Sequence, residues 1–193
     1  MLINIEGIDG AGKSTQISLL SKFYKEKINI TKEPGGTKFG EILRDIILND
    51  KYQISKTAEM FLFLADRAEH YDKIIKKNQD KILLCDRSFI SGIAYAMTNS
   101  DISLNNLILL NKIALNDDLD AKFIFLKIDE ISLINRLKTR QNSDNIEQRG
   151  IKYLMQVQEN MEKFFDELNL YVLKINANLD RIEIFEKIKE YIR

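Results

Sequence analysis

The chain has 193 residues, of which 45% are hydrophobic, so it can fill one good core but is too short for two ordinary domains; we expect one domain over 1–193. Lys plus Arg and Asp plus Glu balance at 29 each, so no overall basic field would draw the protein to nucleic acid or to an anionic membrane. No apolar run approaches the roughly 20 residues of a membrane span, and the lone Cys85 cannot form an internal disulfide, so we expect a reduced, cytoplasmic protein.

Short apolar runs alternate along the chain with longer segments of helical spacing. The runs have the length and composition of strands, and they lie at Leu2–Glu6, Ile28–Lys32, Ile82–Cys85, Phe123–Ile128 and Tyr171–Ile175. Helical faces are predicted after the first two runs, at Leu19, Leu20, Phe23 and at Ile42, Leu43, Ile46, Ile47. Strands that are apolar throughout require cover on both faces of their sheet. The predicted fold class is therefore α/β, with a five-stranded parallel sheet between two layers of helices.

A phosphate-binding loop follows the first strand. The segment Gly7–Ser14 fits the pattern G-x-x-x-x-G-K-[ST] and lies between a predicted strand and a predicted helix, which is the context that this motif requires. Glycines let successive N–H groups point at phosphate oxygens, and the helix N-terminus adds positive potential. Lys13 would reach the outer phosphates, and Ser14 would bind a bridging magnesium ion. The predicted ATP-binding residues of this P-loop NTPase-type fold are Gly7, Ile8, Asp9, Gly10, Ala11, Gly12, Lys13, Ser14 and Thr15.

The rest of the chain narrows the class of P-loop protein. A GTPase of the Ras type reads guanine with N-K-x-D, and the nearest string here, Asn111–Ala114, lacks the aspartate. A motor or a large ATPase usually needs more chain than this to convert hydrolysis into movement. A small kinase is the simplest interpretation. A P-loop protein that binds ATP without transferring a phosphoryl group is the alternative from a different class.

Several motifs in order resemble those of bacterial thymidylate kinase. They read "IEGIDGAGKSTQ" from Ile5, "TKEPGGT" from Thr31, "GEILRDIIL" from Gly40, "FLFLADRAEH" from Phe61 and "DRSFISGIAYA" from Asp86. The match covers the first half of the chain closely and the second half more loosely. The resemblance implies transfer of the γ-phosphoryl group of ATP to dTMP, giving dTDP for dTTP synthesis, with Mg²⁺ as cofactor. It also implies a homodimer that needs neither nucleic acid nor membrane as a partner.

The resemblance assigns three arginines to the acceptor. It implies that Arg44, Arg67 and Arg87 surround the dTMP phosphate and the migrating group. Apolar residues flank Arg44 and Arg67, which argues against a solvated helix face. Arg87 follows Asp86 at the end of a predicted strand, where α/β sheets bind ligands. Asp86 would hold magnesium through water as a Walker-B-like carboxylate, unless it only pairs with Arg87 or caps the next helix.

The nucleoside end is assigned by the same resemblance. It places Phe63 against the thymine ring and Tyr95 near the sugar, although the apolar "FLFL" context alone would make Phe63 a core residue. Asp9 would bind the sugar 3′-OH or the magnesium shell. Glu33 and Pro34 look like the family's strand end, where the bond before the proline is often cis. These residues complete the predicted dTMP site: Asp9, Glu33, Pro34, Arg44, Phe63, Arg67, Arg87 and Tyr95.

Departures from the family pattern leave the base selectivity open. Where many members read D-R-Y-x-x-S-S-x-A-Y-Q, this chain has Ser88 for the tyrosine, Gly92 for the second serine or an asparagine, and Ala96 for the glutamine. The last two positions contact the base in relatives. A nucleoside monophosphate kinase of broader specificity is therefore a second alternative. His70 has no metal-spaced partners, so we expect a surface or hydrogen-bonded histidine.

A polar segment, "KTRQNSDNIEQRG" at 138–150, predicts a lid around residues 136–150. Loop positions 8–11 contain no basic residue, so the charge of the transition state must be met from elsewhere. We expect Arg140 to make the catalytic contact, beside Lys13 and Arg87, and Arg136 to pack on ATP; Arg149 is a weaker candidate. A solvated, charged helix end is the other interpretation of these arginines.

Overall fold

A five-stranded parallel sheet forms the centre of the protein. The computed structural model describes residues 1–49, 52–78, 80–138 and 149–193. The strands are β1 (Leu2–Glu6), β2 (Ile28–Lys32), β3 (Ile82–Asp86), β4 (Lys122–Lys127) and β5 (Val172–Asn176). They lie in the order β2-β3-β1-β4-β5, and every neighbouring pair is parallel. The predicted fold class is confirmed, and each predicted strand lies within one residue of an observed one.

Helices cover both faces of this sheet. In the described residues they are α1 (Lys13–Tyr24), α2 (Lys38–Leu48), α3 (Lys56–His70), α4 (Phe89–Asn99), α5 (Leu104–Ala114), α6 (Glu130–Lys138), α7 (Ile151–Glu167) and α8 (Arg181–Ile192). A 3₁₀ turn at Lys25–Lys27 follows α1, and a π-helical turn at Tyr71–Ile75 extends α3. Helix α1 packs on α8, whereas α3, α4, α5 and α7 pack with one another. None of the described helices combines the length and the apolar character needed to cross a membrane.

The core explains why the strand sequences are mostly apolar. Central strands β1, β3 and β4 are almost entirely buried, since both of their faces are covered, whereas edge strands β2 and β5 are partly exposed. Phe123 and Phe125 of β4 pack edge-on or tilted against Phe165 of α7, with ring centroids 5.6 and 5.5 Å apart. These aromatic contacts hold α7 on the sheet.

Helix α2 forms where its apolar spacing predicts, and its buried stripe is narrower than its apolar face. Leu43 and Ile47, four residues apart, are buried, but Ile42 is 61% exposed. Ile42 therefore lies on the apolar face of this amphipathic helix but outside the part that the rest of the protein covers.

The topology gathers three strand ends at one edge of the sheet. Strand β1 lies between β3 and β4, so the chain crosses in opposite directions from this point, which is where open α/β sheets bind ligands. Ile5 of β1 and Lys32 of β2 both align with Asp86 of β3. The segments that follow these strands, beginning at Gly7, Glu33 and Arg87, therefore lie side by side.

Candidate active site

The loop after β1 has the backbone that its glycines predict. Gly7, Gly10 and Gly12 have φ angles of 146°, 87° and 99°, a region that residues with a Cβ rarely adopt. Gly12 precedes the first residue of α1 and gives the helix no side-chain cap. The N–H groups at the start of α1 therefore lie beside the loop with the positive end of the helix dipole.

Lys13 is folded back over this loop. Its Nζ donates to the carbonyl oxygens of Gly7, at 2.9 Å, and Ile8, at 3.2 Å, and it lies 3.7 Å from the Asp9 carboxylate. Burial lowers the pKa of Lys13, and the nearby Arg87 lowers it further, while Asp9 opposes both effects. A phosphate anion beside Lys13 would add negative charge close to this buried ammonium and so favour its charged form.

Arg87 links the end of β3 to the phosphate-binding loop. It has a left-handed φ of 75°, which turns its side chain toward the loop. Its guanidinium donates to Asp9 Oδ1 at 2.6 Å and to the Gly7 carbonyl at 3.0 Å, and it lies 5.5 Å from the centre of the Tyr95 ring. Burial by itself would lower the pKa of Arg87, but Asp9, with smaller contributions from Tyr95, Asp86 and Glu6, more than offsets it and the pKa is raised. Arg87 therefore stays charged, and Asp9 does not face a bound phosphate as an unpaired anion.

A buried carboxyl group, Glu6, supports Arg87 through the hydroxyl of Ser91. Glu6, the last residue of β1, accepts hydrogen bonds of 2.5 Å from the hydroxyls of Ser88 and Ser91. Burial raises the pKa of Glu6, and the two hydroxyls only partly offset this effect. Ser91 in turn accepts a hydrogen bond from Arg87 at 3.2 Å. Through Ser91, the fully buried Glu6 fixes one side of the arginine.

A second buried carboxylate organises the segment after β2. Glu33 accepts a hydrogen bond from Arg67 Nε at 2.9 Å, and its other oxygen lies 2.9 Å from His70 Nδ1. The far nitrogen of His70 lies 2.6 Å from the Thr31 hydroxyl. Burial would raise the pKa of Glu33, but Arg67 and His70 together hold it below the ordinary value of 4.5. Glu33 is therefore an ionised, paired carboxylate.

The loop 33–36 is held by α2 and α3. The Glu33–Pro34 bond is cis, as the resemblance implies. Arg44 of α2 donates to the Pro34 carbonyl at 2.9 Å, and Asp66 of α3 accepts a 2.9 Å hydrogen bond from the Gly35 amide. A Cβ at position 35 would lie 2.9 Å from Cδ of Arg44, so glycine lets the arginine lie close against the backbone.

Two pockets meet at this edge of the sheet. A donor pocket is lined by the phosphate-binding loop, with Lys13, Ser14 and Asp86, and the lining of an acceptor pocket includes Phe63, Arg67, Gly92 and Tyr95. Both pockets are lined by Asp9, Glu33, Arg44 and Arg87. We call these four residues the junction. The two basic residues of the junction lie where the two pockets open into each other.

Arg67 is bound to Glu33 of the junction but is not itself a junction residue. It lines the acceptor pocket but not the junction, because its guanidinium is turned toward Glu33, Asn111 and the Ser88 carbonyl. The expectation that Arg44, Arg67 and Arg87 surround the dTMP phosphate stays a prediction. The structure brings Arg44 and Arg87 to the junction, and it places Arg67 in the lining of the acceptor pocket with Phe63 and Tyr95.

The donor set beside the loop suits a hard divalent cation. Asp86 Oδ1 is buried without a hydrogen-bond partner, and the exposed Ser14 lines the same pocket. Among the described residues, no group of three or more carboxylate, imidazole or thiol side chains could form a protein cage for a metal. One carboxylate and one hydroxyl beside a phosphate pocket fit Mg²⁺, which keeps several waters and takes its other ligands from substrate phosphates.

The predicted lid arginines have separate surroundings. Arg136 of α6 donates to the carbonyl oxygens of Gly10, at 3.0 Å, and Ala177, at 2.6 Å, so it lies against the phosphate-binding loop. Arg149 pairs with Glu59 of α3, at 2.6 Å, and lies over the Tyr153 ring. Arg140 and most of the predicted lid fall in 139–148, which is outside the described residues.

Several residues that shape the site were missed from sequence. Glu6 could have been noticed as a charge that ends an otherwise apolar strand. His70 was expected at the surface or hydrogen-bonded, and it is buried and hydrogen-bonded; its spacing of four from Asp66 puts both on the face of α3 that holds loop 33–36. Asn111 had only a weak signal, since a polar residue four after Leu107 lies on the buried face of α5.

Comparisons with known proteins agree with this architecture. The family model described as thymidylate kinase matches residues 5–188. The chain is 56% identical over 195 residues to a protein of Campylobacter hominis and 55% identical over 193 residues to one of Campylobacter fetus, both named thymidylate kinase. A third protein of that name, from Campylobacter curvus, is 43% identical over 194 residues. Each of these alignments covers the full length of both chains.

The charge state of Glu33 makes a prediction about stability. Because its pKa in the folded protein is below 4.5, Glu33 stabilises the fold above that pH, and this contribution is lost as the pH falls through the lower, folded value. Glu33→Gln should lower the free energy of unfolding by about 3 kcal/mol at pH 7, since it leaves Arg67 buried without its counter-ion. Urea titrations at pH 7 and below pH 4.5 should show the deficit shrinking at the lower pH.

The matched control is Glu41→Gln, which removes an exposed carboxylate of α2. It should change the free energy of unfolding by less than about 0.5 kcal/mol at either pH. A deficit for Glu33→Gln that stays constant with pH would contradict the ionised pair.

Proposed function

The chain belongs to the thymidylate kinase family, and on that premise we propose how its residues transfer the γ-phosphoryl group of ATP to dTMP, giving dTDP and ADP for dTTP synthesis. The observation that carries the proposal is the junction, where Arg44 and Arg87 line both pockets at once. A phosphate in each pocket would bring its oxygens to the same two guanidinium groups. Positioning and charge stabilisation are the main tasks in phosphoryl transfer.

At the donor end, we assign the triphosphate of ATP to the loop from Gly7 to Thr15. Backbone N–H groups at the start of α1 and the Lys13 ammonium would bind its β- and γ-phosphates. Arg136, which donates to the Gly10 carbonyl, lies where it can cover the nucleotide. Ser14 and Asp86 would hold Mg²⁺, which when bound bridges phosphate oxygens and neutralises their charge.

At the junction, Arg87 and Arg44 bind the phosphate of dTMP. The second pKa of a phosphate monoester is near ~6, so the attacking oxygen is already ionised at neutral pH and needs no general base. The difficulty is the repulsion between two anions, and two guanidinium groups can hold them together with directed hydrogen bonds. Asp9 keeps Arg87 in place and, with Tyr95, lies where the sugar would pass.

At the far end, Phe63 and Arg67 receive the thymine ring. Phe63 is only partly buried and lines the pocket, so its ring is available for stacking. Arg67 shares the lining of the acceptor pocket with Phe63 and, unlike Arg87, is not among the residues that line the donor pocket; its N–H groups that Glu33, Asn111 and Ser88 leave unused suit a carbonyl oxygen such as those of thymine. We therefore assign Arg67 to the base rather than to the phosphate.

The charge of the transition state needs one more cation. Positions 8–11 of the loop carry no basic residue, so we keep Arg140 as the proposed catalytic arginine of the lid, beside Lys13 and Arg87. The functional unit we propose is a single P-loop kinase domain over 1–193 with its lid around 136–150. Since ATP and dTMP are cytoplasmic metabolites, we propose that it acts in the cytoplasm.

We further propose that the protein is a homodimer. Large apolar side chains are exposed on three helices that pack with one another, and they are Phe39 and Ile42 of α2, Phe61 of α3, and Leu109 and Ile113 of α5. Leu109 and Ile113 are four residues apart, so they lie on one face of α5. Such a concentration of apolar side chains on neighbouring helices favours burial against a second copy of the same surface.

The reaction is tested with a panel of acceptors. Purified protein with ATP and Mg²⁺ should release ADP much faster with dTMP than with dUMP, UMP, CMP, AMP or GMP. Lys13→Ala should lower turnover of dTMP by at least about 100-fold, because it removes a cation from the migrating group. Comparable rates with several acceptors would indicate the broader kinase, and no ADP with any acceptor would indicate a binding protein.

Asp86→Asn tests the metal site. The change removes a negative charge beside Ser14, so the Mg²⁺ concentration needed for half-maximal activity should rise by about 10- to 100-fold, with partial recovery at high Mg²⁺. Asp72→Asn, which alters an exposed carboxylate of similar size, is the control and should leave the Mg²⁺ requirement unchanged. An unchanged requirement in Asp86→Asn would remove this residue from the metal site.

Ile113→Lys tests the dimer. Ile113 is 68% exposed on α5, and a lysine there would place a charge inside the proposed interface. Sedimentation at micromolar concentration should give twice 22.5 kDa for the wild type and 22.5 kDa for the variant. Ile131→Lys, at a 74% exposed isoleucine of α6, should remain dimeric. A monomeric wild type would refute the homodimer.

A further inference from the structure

We propose that Asn111 of α5 is a positioning residue that holds Arg67 in the acceptor pocket. We also propose that Gly92, because it has no side chain, leaves the space in which the nucleobase can contact Arg67. Asn111 Oδ1 accepts a hydrogen bond from Arg67 Nη1 at 2.7 Å. The inference rests on the proposed assignment of Arg67 to the base and adds to it the group that aims the arginine.

The amide of Asn111 has only one orientation that satisfies both of its neighbours. Its Nδ2 donates to the carbonyl oxygen of Leu107, one turn earlier in α5, at 2.7 Å. A carbonyl oxygen only accepts and a guanidinium only donates, so exchanging the amide oxygen and nitrogen would break both hydrogen bonds. Asn111 is buried, and neither group could find water as a substitute. The backbone of α5 therefore fixes the orientation of the Asn111 amide, and the amide oxygen fixes the position of the Arg67 guanidinium.

Arg67 is held from three directions, which leaves a defined part of it for a ligand. Nε donates to Glu33, Nη1 to Asn111, and Nη2 to the Ser88 carbonyl at 3.2 Å. A guanidinium carries five N–H groups, one on Nε and two on each terminal nitrogen. One N–H on each terminal nitrogen is thus not used by these three acceptors. We refer to these two N–H groups, one on Nη1 and one on Nη2, as the fork.

Gly92 keeps that fork accessible. A Cβ at position 92 would lie 2.8 Å from Nη2 and 2.9 Å from Nη1 of Arg67, closer than real side-chain carbons approach. Since Glu33, Asn111 and Ser88 hold the guanidinium, the arginine could not move aside without losing one of them. Gly92 also lines the acceptor pocket. A relative with a side chain at this position would need a different placement of the arginine or a different contact to the base.

Asn111 can act on the substrate only through Arg67. It is among the residues that line neither the acceptor pocket nor the donor pocket, and its helix reaches the site from behind α3 and α4. Removing its side chain should therefore weaken contacts at the ring end of dTMP and leave ATP and the junction untouched. A loss of affinity for dTMP without a loss of affinity for ATP would distinguish Asn111 from a residue that merely stabilises the fold.

The test measures KM for dTMP and for ATP, kcat, and the inhibition constant of thymidine, which has the same ring and sugar but no phosphate. Asn111→Leu should raise the dTMP KM and the thymidine inhibition constant about tenfold, with the ATP KM and kcat within about twofold of wild type. Asn111→Asp keeps an oxygen acceptor for Arg67 and should raise both constants by less than about threefold.

Asn160→Leu is the matched control. Asn160 is a buried asparagine of α7 that hydrogen-bonds Thr98 at 2.9 Å on the other side of α4, and it has no contact with Arg67. It should lower the melting temperature as Asn111→Leu does but leave the thymidine constant unchanged. If Asn111→Leu does not fold, Asn111→Ser replaces it, since a serine hydroxyl is too short to reach the guanidinium.

Three results would overturn the inference. One is an unchanged thymidine constant in Asn111→Leu, and another is an equal rise in the ATP KM. The third is a loss in Asn111→Asp as large as that in Asn111→Leu, which would mean that the bond to Leu107 matters and the bond to Arg67 does not. Wild-type turnover of dTMP tests the proposed function, whereas the ratio between variant and wild type tests Asn111, so the two can fail separately.

Discussion

The acceptor half of the site depends on the buried carboxylate of Glu33. It follows the edge strand β2 and binds Arg67 and His70 of α3, and through Arg67 it is connected to Asn111 of α5 and to the backbone before α4. A buried carboxylate is stable only when it is paired and hydrogen-bonded, so these elements must be in place together. The same carboxylate lines the junction, and the packing of the helices is thereby coupled to the position where the phosphates meet.

A second buried carboxyl group, Glu6, supports the site in a different electrostatic environment. Glu6 accepts hydrogen bonds from two serine hydroxyls and burial raises its pKa, whereas Glu33 is bound by a guanidinium and an imidazole and its pKa is lowered. Pairing matters beside two polyanions. Glu33 is paired with Arg67 and Asp9 with Arg87, so these two carboxylates of the junction add little repulsion toward phosphates.

The arrangement is preorganised for charge stabilisation. Arg87 is held by Asp9, Ser91 and the Gly7 carbonyl, and Arg44 is held by the Pro34 carbonyl. Donors that are fixed before the substrate binds need no reorganisation when charge spreads over the migrating group. In the proposed assignment, separate cations for the phosphates and for the base would let one pocket bind an anion and a neutral ring side by side.

Local patterns in the sequence determined the sheet, the phosphate-binding loop and most of the site. Strand period and the glycine motif are encoded in a few adjacent residues, so the five strands and the positions of Lys13, Asp86 and Arg87 could be predicted. The tertiary structure alone decided that Arg67 is paired with Glu33 and bound by Asn111, that Glu6 supports Arg87, and that Ile42 is exposed. These features depend on contacts between residues 34 to 85 positions apart, or on which stripe of a helix its neighbours cover, and neither is written in local spacing.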